Sequence, residues 1–223
     1  MTLTTQPDEL DQTETGAPRT GTALRLELLA FATMLAIVNS PLLGGAWNAP
    51  LAFLPERVIH GQWWRVLTHP FVHVSWYHLL LDGAAFFMLY AELREWSSHR
   101  RLLAVAASAT GSLLAALTSP VVFANGFGGL SGVAHGLMAI SAVEMIRGDR
   151  TWERRAGWCA LILVIGKAGL EAATGNVALA CLHFGLMGVP VAACHAGGVV
   201  GGLLVSLSFR TRQLPGRGAP PRP

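Results

Sequence analysis

G-G-L-S-G-V-A-H-G-L-M-A-I-S-A-V-E-M-I-R, residues 128–147, is the stretch that decides the fold. It opens on two glycines, carries a serine and a histidine four residues apart, runs mostly apolar and stops at an arginine. From Ser131 to Arg147 is 16 residues, about 24 Å of helix at 1.5 Å per residue. That length nearly crosses a bilayer core about 30 Å thick. A hydroxyl and an imidazole at the head of such a helix are costly, which makes them candidates for function.

The rest of the chain agrees with a membrane setting. Of its 223 residues 52% are hydrophobic and 13% charged, against about 25% charged in an ordinary soluble domain. The first twenty residues hold Asp8, Glu9, Asp11 and Glu14 with Thr, Gln and Pro. A cleavable secretory signal needs a basic start and an apolar stretch instead, so none is expected, and 1–22 reads as a disordered cytoplasmic tail. The prolines and glycines after Arg212 make 210–223 a second, basic tail. Cys159, Cys181 and Cys194 are an odd number without zinc-like spacing and read as inert core thiols. The net charge of +3 is scattered between apolar runs, which excludes a nucleic-acid partner.

Six stretches are candidates for spanning helices: 24–43, 76–93, 102–123, 131–146, 156–173 and 189–208. With both termini in the cytoplasm, thirteen arginines fall on the inner side, while Arg57 and Arg65 fall on the outer side and Lys167 within a span. That asymmetry orients the chain. The predicted fold is an all-α, polytopic six-helix bundle over 23–209, multi-pass in the cell (inner) membrane. The outer segment 44–76 carries Trp47, Trp63, Trp64 and Trp76 and is expected to lie partly sunk in the outer leaflet.

Several polar residues then share one depth. His195 stands 15 residues before Arg210, His78 stands 16 before Arg94, and Glu171 stands 16 beyond Arg155. Three helices thus bring Ser131, His195 and His78 to one level near the outer face, joined by Glu171. A hydroxyl and an imidazole at that level suit a nucleophile and its base, with histidine taking the serine proton and returning it to the leaving amine. Helix packing contacts are the simpler reading of any one of these residues. Gly126, Gly128, Gly129 and Gly132 allow close approach of a substrate, and the first-turn N–H groups near Ser131 suit an oxyanion. Gly197, Gly198, Gly201 and Gly202 form overlapping G-x-x-x-G pairs, so the last helix is expected beside the serine-bearing one. Lys167 and Glu171, at i and i+4, form either an ion pair alone or a contact to substrate through Glu171.

These residues resemble the rhomboid family of intramembrane serine proteases. The likeness runs from Gly61 to Leu207 and rests on W-W-R-V-L-T-H-P-F-V-H-V-S-W-Y-H-L-L-L-D at 63–82, G-L-S-G at 129–132 and C-H-A-G-G-V-V-G-G at 194–202. The resemblance implies that Ser131 is the nucleophile and His195 the general base, a dyad without an aspartate. It implies that His78 and the Ser131 N–H bind the oxyanion, with Gly129 lining the site, and that His69 and His73 are structural. Asp82 stands where family members commonly have asparagine, and His135 where better-known members stack a tyrosine on the catalytic histidine.

The strings at 129–136 and G-K-A-G-L-E at 166–171 look like the rhombosortase branch. That branch implies processing of exported proteins at a C-terminal signal of Gly-Gly, apolar helix and basic end, outside the cytoplasmic membrane. The expected partners are the bilayer and single-span membrane proteins. No nucleotide motif is present, and neither a metal nor another cofactor is expected. The alternatives are a general rhomboid protease of other single-span substrates and a rhomboid-like protein that binds clients without cutting them. A metal or haem site using His69, His73 and His78 is a third, more distant one.

Overall fold

The computed structural model describes residues 20–95, 97–178, 180–184 and 186–208. The tails expected at 1–22 and 210–223 lie outside these residues, apart from 20–22, where the first helix begins. Among the described residues there are nine α-helices and no strand, only one isolated antiparallel bridge between Phe53 and Phe127. They are α1 (Thr20–Val38), α2 (Pro55–Ile59), α3 (Arg65–Thr68), α4 (Trp76–Glu92), α5 (Ser98–Ala116), α6 (Pro120–Asn125), α7 (Ser131–Ile146), α8 (Thr151–Thr174) and α9 (Ala193–Ser208).

Six helices were expected and nine are present, for local reasons. The segment between α1 and α4 folds into the short α2 and α3 and several 3₁₀ turns. The expected helix at 102–123 is really two, because Pro120 cannot continue α5 and instead opens α6. Pro41 ends the expected 24–43 stretch in the same way, turning the chain after Val38 into a 3₁₀ turn. The last helix begins at Ala193 rather than 189, past Pro190. The remaining helices sit close to their sequence-based bounds. By length and composition, the stretches Gly21–Gly44 and Thr151–Thr174 qualify to cross a membrane, while α7 and α9 are shorter apolar helices. Leu26, Leu29 and Ile37 of α1 and Ile162, Leu163 and Leu170 of α8 are exposed. The described residues leave these faces uncovered.

Helix α9 is wedged between α5 and α7, and its glycines make that possible on two sides. A Cβ on Gly197 or Gly201 would run into the backbone oxygens of Gly111 or Ala107 in α5. A Cβ on Gly198 or Gly202 would run into those of Gly132 or Gly136 in α7. The two overlapping glycine pairs therefore serve two different neighbours. The sequence pointed to α7; the second partner, α5, adds its own small residues, with Ser112 packed on Gly132 and Ser108 on Gly136.

The opposite end of the bundle is held by charge. Glu27 of α1 accepts hydrogen bonds from Arg101 of α5 (Nε 2.8 Å, Nη2 2.8 Å) and from the Tyr90 hydroxyl of α4 at 2.6 Å. Phe31, Phe86 and Tyr90 pack edge-on and stacked just above it. The cysteines depart from expectation: Cys159 and Cys181 are exposed, and only Cys194 is a core thiol.

The packing predicts a sharp contrast between two glycine-to-alanine changes. Gly198→Ala must push α9 off α7 and should destabilise the protein by about 1–3 kcal/mol, as overpacking does. Gly166→Ala on α8, where a Cβ meets nothing within 4 Å, should leave the unfolding midpoint unchanged or slightly raised. Thermal unfolding of the two purified variants in detergent checks this.

Candidate active site

Ser131 is the first residue of α7, and the backbone before it is held to the segment between α1 and α4. Phe127 exchanges both backbone hydrogen bonds with Phe53, at 2.9 and 2.8 Å, and Gly129 N–H donates to His69 C=O at 3.1 Å. Gly129 has φ +114, a conformation that L side chains rarely adopt. A Cβ there would also lie 2.9 Å from His78 Nε2 and 3.1 Å from Asp82 Oδ2. Glycine is needed on both counts. The turn delivers Ser131 to the start of a helix, where first-turn N–H groups have no helical carbonyl to meet.

Ser131 opens into a cavity of about 520 Å³ whose lining also includes His78, Asp82, His135, Lys167 and His195. Ser131 Oγ lies 3.9 Å from Cys194 Sγ, the neighbour of His195 at the start of α9. Helix α9 packs on α7 through Gly198 and Gly132, and Ser131 and His195 at the heads of these two helices line the same cavity. The proximity of Cys194 carried no signal in the sequence beyond its place next to His195.

The imidazoles and charges around His195 form one connected set. His195 Nδ1 lies 2.6 Å from Glu171 Oε2. Glu171 Oε1 accepts from Lys167 Nζ at 2.7 Å and from the Ala178 N–H at 2.8 Å. Lys167 Nζ also lies 2.9 Å from His135 Nε2, and His135 Nδ1 lies 2.7 Å from Ser131 C=O. An ammonium only donates, so Nε2 of His135 is the acceptor and Nδ1 carries the proton given to Ser131 C=O. The His135 ring stacks on His195, centroids 4.0 Å apart and planes 12° from parallel. Glu171, read from the sequence either as the ion-pair partner of Lys167 alone or as a contact to substrate, is fully buried with both oxygens engaged. Lys167 is the member of the pair that reaches the cavity.

On the other side, Asp82 of α4 sits between His73, in the segment before α4, and His78, in its first turn. Its Oδ2 lies 3.2 Å from His78 Nε2 and 3.6 Å from His73 Nε2. Ser75 caps α4 by accepting from the His78 N–H at 3.1 Å, and its hydroxyl donates to Leu186 C=O. His73 is fixed further by Asn39, whose Oδ1 accepts the His73 N–H at 2.9 Å while its Nδ2 donates to Phe71 C=O at 2.8 Å. Asn39 is a residue the sequence reading passed over, because it stands at the end of an apolar stretch with nothing to mark its partner. Two groups bring three possible metal-ligating atoms within 4.8 Å: His73, His78 and Asp82, and His135, Glu171 and His195. His69 belongs to neither. Its Nδ1 meets Val66 C=O at 2.9 Å and its ring packs between Phe53 and Phe127, so the trio of His69, His73 and His78 does not form.

The family model described as Rhomboid domain matches residues 60–212. No curated protein matches the sequence.

The segment between α1 and α4 should be sensitive to acid. Burial holds His69 down to about 4 from its ordinary 6.5, so the folded protein keeps it neutral where the unfolded chain has taken up a proton. Its contribution to stability is full above pH 6.5 and is lost as the pH falls toward 4. The unfolding midpoint should decline over that window, and His69→Gln should decline less steeply.

Proposed function

The chain belongs to the rhomboid family of intramembrane proteases, and from that premise we propose that it is a serine endopeptidase in which Ser131 attacks and His195 is the base. The observation that carries this reading is the shared cavity: a serine at a helix N-terminus and an imidazole whose Nδ1 is already engaged line it from two closely packed helices. With Nδ1 donating to Glu171, the lone pair of His195 is on Nε2, the atom that must take the Ser131 proton. Oγ then bonds to the scissile carbonyl carbon, and the charge goes to the carbonyl oxygen. The Ser131 N–H and His78 Nε2 are the donors proposed for it, with Gly129 leaving room between them. His195 passes the proton to the departing amine as the peptide bond breaks, and water hydrolyses the acyl enzyme by the same steps.

Asp82 Oδ2, 3.2 Å from His78 Nε2, places a carboxylate against that edge of the ring. His135 takes the stacking place against His195. The proposed topology has six spans, α1, α4, α5, α7, α8 and α9, in the cell membrane, with both termini cytoplasmic and the cavity facing outward. The bounds of the membrane unit are 23–209. The arginine asymmetry of the sequence supports this orientation. A single-span substrate helix enters from the lipid and unwinds at weakly helical residues; glycine costs about 1 kcal/mol relative to alanine in a helix. The strings at 129–136 and 166–171 support the rhombosortase branch, hence Gly-Gly sorting signals as substrate.

The test is a single-span reporter with Gly-Gly, an apolar helix and a basic end, reconstituted with the protein in vesicles. Wild type should cut near the glycines, Ser131→Ala should not, and His195→Ala should be slower by at least about 10³-fold. Equal cutting of a reporter with Leu-Leu in place of Gly-Gly would remove the branch assignment and leave a general protease. Cutting that survives Ser131→Ala, or a wild type that binds reporters without cutting, would overturn the proposal.

A further inference from the structure

A carboxylate with no exposure needs a reason to be in a membrane protein, and Lys167 supplies only half of one for Glu171. The ion pair and the Ala178 N–H both fall on Oε1. Oε2 is left for His195 Nδ1, at 2.6 Å across 24 residues of sequence. If the pair existed only to tie α8 to the turn after it, Oε2 would have no need of an imidazole from another helix. Instead, the second oxygen is spent on His195, the histidine proposed above as the base for Ser131.

We propose that Glu171 is a positioning residue of the catalytic set, so that the protein works with a Ser131–His195–Glu171 triad instead of a dyad. This rests on the serine and histidine roles proposed above and deepens them. An ionised carboxylate on Nδ1 fixes the tautomer that exposes the Nε2 lone pair, and it balances the charge that His195 gains when it holds the serine proton. No proton reaches Glu171: the Nδ1 proton stays on His195 throughout, while the mobile one passes from Ser131 Oγ to Nε2 and on to the leaving amine.

Lys167 secures the arrangement from both sides. Its ammonium donates to Glu171 Oε1 and to His135 Nε2. The first bond sets the carboxylate that holds the edge of the His195 ring. The second sets the ring that stacks on its face, which in turn donates to the carbonyl of Ser131. One cation thus restrains the histidine in its plane and against tilting out of it, and it links both restraints to the serine backbone.

The experiment is the cleavage kinetics of Glu171→Gln and Glu171→Asp, each alone and the former combined with His195→Ala, in vesicles with the same reporter. Glu171→Gln should lose about 10²- to 10⁴-fold in kcat with KM changed less than about threefold, because the loss is in the transition state alone. Glu171→Asp, which keeps the charge one methylene shorter, should recover part of kcat. In the His195→Ala background Glu171→Gln should cost nothing further, since a residue acting through His195 has nothing left to act on. Retention of wild-type kcat by Glu171→Gln would overturn the inference. So would an equal loss in both backgrounds, which is what a purely structural ion pair gives. If Glu171→Gln fails to fold, as judged by its unfolding midpoint, Glu171→Asp decides alone: an unchanged kcat sinks the triad and a lowered kcat at constant KM supports it. A Ser131→Ala protein that still cuts would overturn the nucleophile assignment and the triad with it, whereas a serine-dependent enzyme indifferent to Glu171 would overturn only the triad.

Discussion

Everything at the candidate site depends on how closely three helix backbones approach one another. Lipid tails are as apolar as leucine, so helices in a bilayer associate by van der Waals fit and interhelical hydrogen bonds. In this protein the fit is made by removing side chains: Gly197 and Gly201 face α5, and Gly198 and Gly202 face α7. A helix with one glycine stripe packs tightly on one neighbour. With two, α9 is held from both sides, and His195 at its head cannot shift without moving two interfaces. Ser131, at the head of α7, is located by the same contact.

On that frame rests a polar network that leaves few loose ends on the His195 side. Lys167, Glu171, His135 and His195 satisfy one another together with two backbone groups, Ser131 C=O and Ala178 N–H. A connected network in a low-dielectric interior is rigid because losing any member strands its partners. The side carrying His78 is looser. His73 Nε2, His78 Nδ1 and Asp82 Oδ2 make no hydrogen bond among the described residues, and the charge contacts of Asp82 are longer than those of Glu171. The two sides suit the different tasks proposed for them: a base held in one orientation, and an oxyanion site that completes its hydrogen bonds when charge appears. At the far end, Glu27, Arg101 and Tyr90 clamp α1, α4 and α5.

The sequence was most legible where periodicity and charge act along one helix. The span 131–146 coincides with α7 to the residue, and 76–93 differs from α4 by one. Counting from the arginines placed four polar residues at one depth, and the structure brings Ser131, His78 and His195 to one cavity with Glu171 behind the last. Contacts between helices were harder to read. Glu171 had a sufficient partner in Lys167 at i+4, so nothing in the sequence called for the histidine 24 residues away. Arg65 entered the sequence reading only as a charge for the membrane count; its guanidinium is buried, donating to Ala49 and Ala52 carbonyls and to Gln62. Pro41 and Pro120 were visible as breaks, yet an apolar window running across them still looked like one helix. The cysteines of apolar stretches passed for core residues because in a membrane protein the lipid-facing surface is as apolar as the interior.

The central claim is that Ser131 is a nucleophile activated by His195, and the most direct measurement is the structure of the protein after reaction with a fluorophosphonate. The account predicts phosphorus bonded to Ser131 Oγ, the phosphoryl oxygen within hydrogen-bond reach of the Ser131 N–H and a His78 ring nitrogen, and His195 still on Glu171. A wild-type protein that is folded and carries no adduct at Ser131, or carries it on Cys194 instead, would contradict it.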